Sequence, residues 1–172
     1  MVSLGLKRAG DENMRVSAKN VKGKKVYTSK KEAPIGVVCD VLADESCGRI
    51  EGYMIKSLSL IPLESAVDRE DVKTIDKQKI ILREGAKPEP PEGFKKRKNT
   101  KLTKTEEVKS VVMTNLKKRK AGDISFDFET GEMCDIVVSK GIFGTKKRIF
   151  TNKIYLKDNV IYLKEEGGDE DV

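Results

Sequence analysis

Residues 35–55 read IGVVCDVLADESCGRIEGYMI, and this stretch decides the fold. Two runs rich in Val, Ile and Leu, residues 35–42 and 49–55, flank the polar group Asp44–Gly48. Apolar runs separated by Asp, Ser and Gly are typical of strands joined by a turn. The sequence contains no long amphipathic pattern of helical period. It therefore predicts an all-β fold with one short helical turn at residues 63–69.

The second half of the chain repeats this pattern. Residues 122–128 alternate polar and apolar side chains, which places Ile124, Phe126 and Phe128 on one face of a predicted strand. Four segments match in the same order: 25–28 with 111–114, 35–42 with 122–128, 49–55 with 132–138 and 79–85 with 160–167. The duplication predicts two copies of a small sandwich or barrel in tandem.

The expected organisation has five parts. They are a disordered extension at 1–13, a first domain at 14–86, an extended Pro- and Lys-rich linker at 87–107, a divergent second domain at 108–166 and an acidic tail at 167–172. A unit of about 70 residues has a marginal core, so we expect the two domains to pack on each other or on a partner. If the acidic tail lies against basic turns, its truncation should strengthen polyanion binding.

The composition argues against ordinary catalytic chemistry. The 172 residues carry 35 Lys and Arg against 28 Asp and Glu, a net charge of +7, and no histidine. Without histidine the chain lacks the commonest general base and metal ligand. The three cysteines lack zinc-site spacing and are too few for a disulfide scaffold: Cys39, Cys47 and Cys134. We expect no enzyme activity, cofactor or metal, and a cytoplasmic protein, because no apolar run reaches the roughly 18 residues that cross a bilayer.

Four glycines are interpreted as structural turn positions: Gly36, Gly48, Gly122 and Gly131. Glycine permits close approach of two strands and backbone conformations that other residues avoid. A phosphate-binding glycine loop leads into a helix, whereas strands follow these glycines. The carboxylates at 40, 44 and 45 lack the spacing of a calcium loop, and Asp40 is expected to face outward from its strand.

The most suggestive candidate site is a basic surface for RNA or a protein partner. Its residues are Lys95, Lys96, Arg97, Lys98, Lys117, Lys118, Arg119, Lys120, Lys146, Lys147 and Arg148. Facing one way, they would attract RNA, an anionic membrane or an acidic protein face. The alternative is a solvated linker and charged turns that keep edge strands from aggregating. Aromatic interleaving is poor, with Phe94 alone in the stretch 94–120, and this favours the second interpretation.

The first copy resembles the PRC-barrel family. The residues that carry the resemblance are a Gly-Lys-x-Val strand at 23–26, Ile-Gly-x-Val-x-Asp at 35–40 and Gly-Arg-Ile at 48–50. The second copy is more weakly similar, at 121–124 and 130–132. In this alignment Gly122 corresponds to Gly36, and Phe126 stands where the first copy has Asp40. The second copy also has a loop three residues shorter before its second glycine.

The resemblance implies two small, strongly bent β-barrels that contain no catalytic residues. Family members include the cytoplasmic part of the photosynthetic reaction-centre H subunit, the C-terminal domain of a ribosome maturation factor, and small stand-alone proteins that look like docking modules. The implied function is a docking or adaptor protein with a protein partner, and homo-oligomers are possible. The alternative is an RNA- or ribosome-associated protein that uses the basic surface of the second domain.

Overall fold

A computed structural model describes residues 15–112, 118–139, 144–150 and 154–163. The elements in chain order are β1 (Arg15–Ser17), α1 (Ala18–Val21), β2 (Lys25–Tyr27), β3 (Gly36–Asp44), β4 (Ile50–Ser57), β5 (Glu64–Asp68), β6 (Val72–Ile75), β7 (Lys79–Leu82), α2 (Pro91–Lys98), β8 (Leu102–Lys104), β9 (Ser110–Val112), β10 (Lys118–Asp127), β11 (Met133–Ser139), β12 (Lys146–Phe150), β13 (Ile154–Lys157) and β14 (Val160–Leu163). Short 3₁₀ helices occupy Arg69–Asp71 and Thr105–Glu107. The predicted all-β class, with barrel-like units, is confirmed.

The strands form two sheets with the same internal order. The first sheet runs β5-β4-β3-β2-β7-β6 and the second runs β12-β11-β10-β9-β14-β13. Neighbouring strands along each path are antiparallel except for one parallel pair, β2 with β7 in the first sheet and β9 with β14 in the second. The two halves of the chain therefore have matching topology strand by strand.

Each half also contributes a short strand to the sheet of the other half. β1 lies at the start of the first half, yet it pairs with β10 of the second sheet through Val16 opposite Phe126. β8 lies ahead of the main strands of the second half, yet it pairs with β3 of the first sheet through Thr103 opposite Ala43. This reciprocal exchange ties the two halves together by backbone hydrogen bonds as well as by packing.

The pairing registers correct part of the sequence alignment. Gly52 pairs with Leu42 as Asp135 pairs with Ser125, so the predicted match of 49–55 with 132–138 agrees with the structure. By the same register the counterpart of Phe126 is Ala43, since these residues lie opposite Met133 and Ile50 respectively. Further along, the counterpart of Gly36 is Arg119, not Gly122.

The loop expected to be shorter in the second half is in fact the same length. The turns 44–48 and 127–131 each span five residues and carry the same pattern of backbone hydrogen bonds. The length difference lies earlier, in the connection between the first two strands of each half. The sequence alignment pairs Gly36 with Gly122 because both are glycines, but in the structure each relieves a close contact at a different position of its sheet.

The two sheets share one apolar core. A single cluster of buried side chains draws on both sheets, and the rings of Tyr53 and Phe126 lie 6.3 Å apart within it. Val41 and Ile136, from the first and second sheets, are both fully buried in this cluster. The two halves pack on each other, as we expect for units whose separate cores would be marginal.

The segment 87–107 is not an extended linker but a folded addition to the first sheet. Pro91 occupies the first turn of α2, a position that needs no backbone N–H, and Asn99 ends the helix in the left-handed conformation with φ 52°. Its apolar residues Phe94 and Leu102 pack on the first sheet. Asp40 lies on the outer face of this sheet, as expected, since it pairs with Met54, but the segment covers it. It is therefore buried, and it accepts a 2.9 Å hydrogen bond from the Thr105 hydroxyl.

The predicted helical turn at 63–69 is instead mostly strand β5. Its backbone pairs with β4 from Glu64 to Asp68, and this pairing overrides the weak helical preference of the segment. A 3₁₀ turn follows only at Arg69–Asp71. Within the described ranges, no helix has the length and apolar character needed to cross a membrane.

Candidate interaction surfaces

Helix α2 covers the outer face of the first sheet, the face turned away from the shared core. Phe94 is fully buried in a small cluster with Leu42, Met54 and Ala66. Gly52 lies beneath its ring, where an added Cβ would come within 2.6 Å of Phe94 Cζ. A glycine at this position therefore provides the space that the aromatic ring occupies.

Charged groups fasten the C-terminal end of α2 to the same face. Lys98 Nζ lies 3.0 Å from a Glu51 oxygen and 2.7 Å from an Asp68 oxygen, and both carboxylates are almost fully buried. Burial alone would raise the pKa of Asp68, but hydrogen bonds from Lys98, the Glu70 amide and Arg97 outweigh it and hold that pKa below its usual value. Burial would lower the pKa of Lys98, but its two carboxylate partners raise it.

The predicted basic residues 95–98 consequently fall into two groups. Arg97 reaches Glu89 at 2.6 Å and Asp68 at 3.4 Å, and with Lys98 it belongs to the attachment of α2. Lys95 and Lys96 are exposed on the outside of the helix. The four side chains therefore do not form one free basic patch.

The second basic group lies on the outer face of the second sheet. Lys120 pairs with Ser139, and Ser139 pairs with Lys146, so the two lysines share a face across β10, β11 and β12. Alternation along the strands adds Lys118 and Arg148 to that face. Arg119 and Lys147 lie on the other face of the sheet, because they pair with the buried core residues Val111 and Val138 on the neighbouring strands. Lys117 lies outside the described residues.

Beside these cations the structure shows an arrangement that the sequence analysis missed. Asp135 is fully buried, and neither side-chain oxygen has a hydrogen bond within the described residues. Arg15 and Arg148 approach its oxygens at 3.5 and 3.6 Å, and both arginine side chains are about half exposed. Phe150 is 57% exposed next to Arg15, whose guanidinium lies 5.8 Å from the ring centroid. The sequence signal for this buried carboxylate was a single aspartate, Asp135, within the otherwise apolar strand pattern of residues 133–138.

A third surface is the loop between β4 and β5, residues 58–63, which we call the apolar loop. Leu60 and Ile61 are 104% and 79% exposed, and Leu58 and Leu63 are also mainly exposed. Its polar atoms bond to one another instead of to distant groups: Leu63 N–H donates to the Ser57 hydroxyl at 2.9 Å, and the Ser59 hydroxyl donates to the Ile61 carbonyl at 2.6 Å. The loop is thus hydrogen-bonded internally while its apolar side chains point outward.

The four turn glycines differ in what their backbone requires. Gly48 and Gly131 have positive φ of 64° and 75°. Gly36 and Gly122 instead allow close approach, since an added Cβ would lie 2.5 Å from the Lys56 carbonyl oxygen and 2.9 Å from that of Val137, respectively.

One group of potential metal ligands occurs among the described residues. Ligand atoms of Asp44, Cys47 and Glu51 lie within 4.8 Å of one another. The carboxylates already have partners, because Asp44 accepts hydrogen bonds from Ser46 and Thr100, and Glu51 is paired with Arg49 and Lys98. The cluster is accounted for by turn formation and by the attachment of α2.

A comparison with curated proteins gives no match. A comparison with protein families gives one match that includes every strand from β1 to β7 and excludes α2 and the strands that follow it. The matched region contains the apolar loop and most of the first sheet. Residues 14–87 of this chain match the family model of the PRC-barrel domain.

Proposed function

We propose that this chain is a non-enzymatic docking protein of the cytoplasm, built from two PRC-barrel units, the second divergent. The matching strand order and the reciprocal exchange of β1 and β8 support a duplicated unit. PRC-barrel domains are often protein-interaction modules, which supports a docking role. The absence of histidine from the sequence supports a function without general-base chemistry.

The observation that carries the proposal is the apolar loop. Large apolar side chains project together from this hydrogen-bonded loop, and covering them with a partner stabilises the complex by about 25 cal/mol for each Å² of apolar surface removed from water. Monomeric proteins rarely expose such clusters unless they bind something. The partner in this proposal is a protein with an apolar pocket that receives Leu60 and Ile61.

The test is affinity capture of the full-length tagged chain from its native lysate, with and without nuclease. The variant combines Leu60→Ser with Ile61→Ser, and the control combines Lys73→Ser with Thr74→Ser at exposed positions of β6. We expect protein partners that survive nuclease and the control substitutions but are lost with the loop variant. Partners retained by the loop variant would contradict docking through this loop.

RNA binding is a second candidate function. It is favoured by the shared outer-face position of Lys118, Lys120, Lys146 and Arg148. RNA affinity should then fall steeply as salt concentration rises, because each neutralised phosphate releases counterions. Joint replacement of Lys118, Lys120, Lys146 and Arg148 by serine should abolish that affinity, and salt-independent binding would argue against this candidate.

A further inference from the structure

The edge strands β5 and β12 have equivalent positions in the two sheets, but only β5 is covered in the described part of the chain. Ala66 of β5 exchanges two backbone hydrogen bonds with Glu89, at 2.8 and 2.9 Å. The chain then continues into α2, which places Phe94 on the outer face of the sheet. The first sheet thus shows how an extended segment binds at this edge.

Arg148 is the counterpart of Ala66 in the second sheet. Ala66 pairs with Met54 on β4, and Arg148 pairs with Val137 on β11. Met54 and Val137 have equivalent positions in the two sheets, because the pairing register of β4 with β3 matches that of β11 with β10. Because Ala66 directs its backbone N–H and C=O away from β4, Arg148 is expected to direct its own away from β11. Among the described residues, β12 pairs only with β11, so this edge is open there.

The side chains around the open edge are cationic and aromatic. Lys146, Arg148 and Phe150 alternate along β12 on the outer face, and Arg15 adds a second half-exposed guanidinium. The buried Asp135 beneath them supplies one negative charge against these three cations. A positive surface therefore adjoins an exposed ring and the backbone groups of Arg148, which have no hydrogen-bond partner within the described ranges.

We propose that the open edge of β12 binds an extended acidic segment of a partner protein, which pairs its backbone with Arg148 as Glu89 pairs with Ala66. The backbone bonds supply affinity, as in other cases where a peptide adds a strand to a sheet edge. Carboxylates of the segment receive charge-assisted hydrogen bonds from Arg148 and Lys146, and an apolar residue covers Phe150. A polypeptide is favoured over RNA because only a polypeptide satisfies both backbone groups of Arg148 in this way.

This surface goes beyond the proposed apolar loop, since it lies on the other sheet. The probe is a fluorescein-labelled peptide of alternating glutamate and valine, about nine residues long, titrated with the full-length chain by fluorescence anisotropy. Three comparison ligands are a lysine-valine peptide, the acidic peptide with alternate amides N-methylated on the pairing edge, and a single-stranded RNA of similar length. We expect measurable binding of the unmodified acidic peptide alone.

The variant carries Arg148→Ser and Lys146→Ser, and the control carries Lys95→Ser and Lys96→Ser, which removes the same charge from the exposed side of α2. We expect affinity for the acidic peptide to fall at least about tenfold in the variant, the factor for one charge-assisted hydrogen bond, and to stay unchanged in the control.

Because Arg148 pairs with the buried Asp135, a measurement on the unsubstituted chain is also needed. Hydrogen exchange of the Arg148 amide should slow when the acidic peptide is added. Unchanged exchange, equal binding of the N-methylated peptide or tighter binding of RNA would each overturn the proposal.

Discussion

Arg49 and Glu132 form an antiparallel backbone bridge, and each directly follows the turn glycine of its own half. The two turns match in detail, because Gly48 N–H donates to the Asp44 carbonyl and Gly131 N–H to the Asp127 carbonyl, both at 2.8 Å. Because these two equivalent residues pair with each other, a local two-fold axis passes between them. The halves of the chain are therefore related as the subunits of a symmetric dimer are.

This relationship predicts an unequal cost for the same substitution at two glycines. Gly131 and Gly23 both have positive φ, so alanine is strained at either position. A Cβ on Gly131 would also collide with the Ile50 carbonyl oxygen and with Arg69 of the other half, whereas nothing lies within 4 Å of a Cβ on Gly23. We expect Gly131→Ala to lower the free energy of unfolding by about 1–3 kcal/mol more than Gly23→Ala. Urea unfolding measures both, and equal costs would contradict a tight contact between the turns.

The exchanged strands predict that the halves depend on each other. Residues 1–100 lack β8, which pairs with β3, and residues 101–172 lack β1, which pairs with β10. Each fragment would expose part of the shared core and one unpaired strand edge. Circular dichroism should show lower melting temperatures for the separate fragments and partial recovery on mixing. Fragments that each melt cooperatively at the temperature of the whole chain would rule this out.

The attachment of α2 depends mainly on one buried ring. Phe94→Ala should cost about 3–5 kcal/mol, because it leaves a cavity over Gly52 that the flanking sheet cannot fill. Lys95→Ala, one residue along on the exposed side of the helix, should change stability by less than about 0.5 kcal/mol. Chemical denaturation compares the two, and limited proteolysis within residues 87–100 tests whether the loss is local.

The cluster of Lys98, Asp68 and Glu51 predicts a pH window for this attachment. The lowered pKa of Asp68 means that its contribution is complete above its unfolded value of about 3.9 and is lost as pH falls through the folded pKa. The raised pKa of Lys98 means that its contribution is complete below its unfolded value of about 10.4 and is lost as pH rises through the folded pKa. The urea midpoint should therefore fall in acid and in strong base.

Two variants test the acid side of that window. Asp68→Asn should flatten the acid limb of the urea midpoint against pH, whereas Glu92→Gln, an exposed neutralisation on the same helix, should leave it in place. An acid limb that is identical in Asp68→Asn and the unsubstituted chain would show that other groups cause it.

The sequence predicted the strands best where apolar order decides the register. Ile50 matches Met133 and Ile80 matches Ile161, as the alignment expected, because both members of each pair face the core. It missed α2 because Phe94 is the helix's sole large apolar residue and the neighbouring prolines suggested an extended chain. Pro91 in the first turn was the available helix signal.

The candidate surfaces were less predictable than the strands. The predicted basic residues are divided between α2 and the second sheet, and this division depends on tertiary contacts that residue type does not reveal. The pairings of β1 and β8 join residues that are far apart in the chain, such as Val16 with Phe126 and Ala43 with Thr103, and no local pattern records such a pairing. The exposure of Leu60 and Ile61 likewise follows from the internal bonds of the loop, not from hydropathy, which by itself would bury them.

The acidic tail and the two glutamates just before it lead to a last prediction. Residues 165–172 lie outside the described part of the chain and carry five carboxylates: Glu165, Glu166, Asp169, Glu170 and Asp171. If they compete for the basic outer face of the second sheet, deletion of 165–172 should strengthen binding of the acidic glutamate-valine peptide. A chain of the same length with those five residues changed to amides should behave like the deletion, because the competition is electrostatic and should fade at high salt. Equal affinity with and without the tail, measured at low salt by fluorescence anisotropy, would show that the tail does not regulate this face.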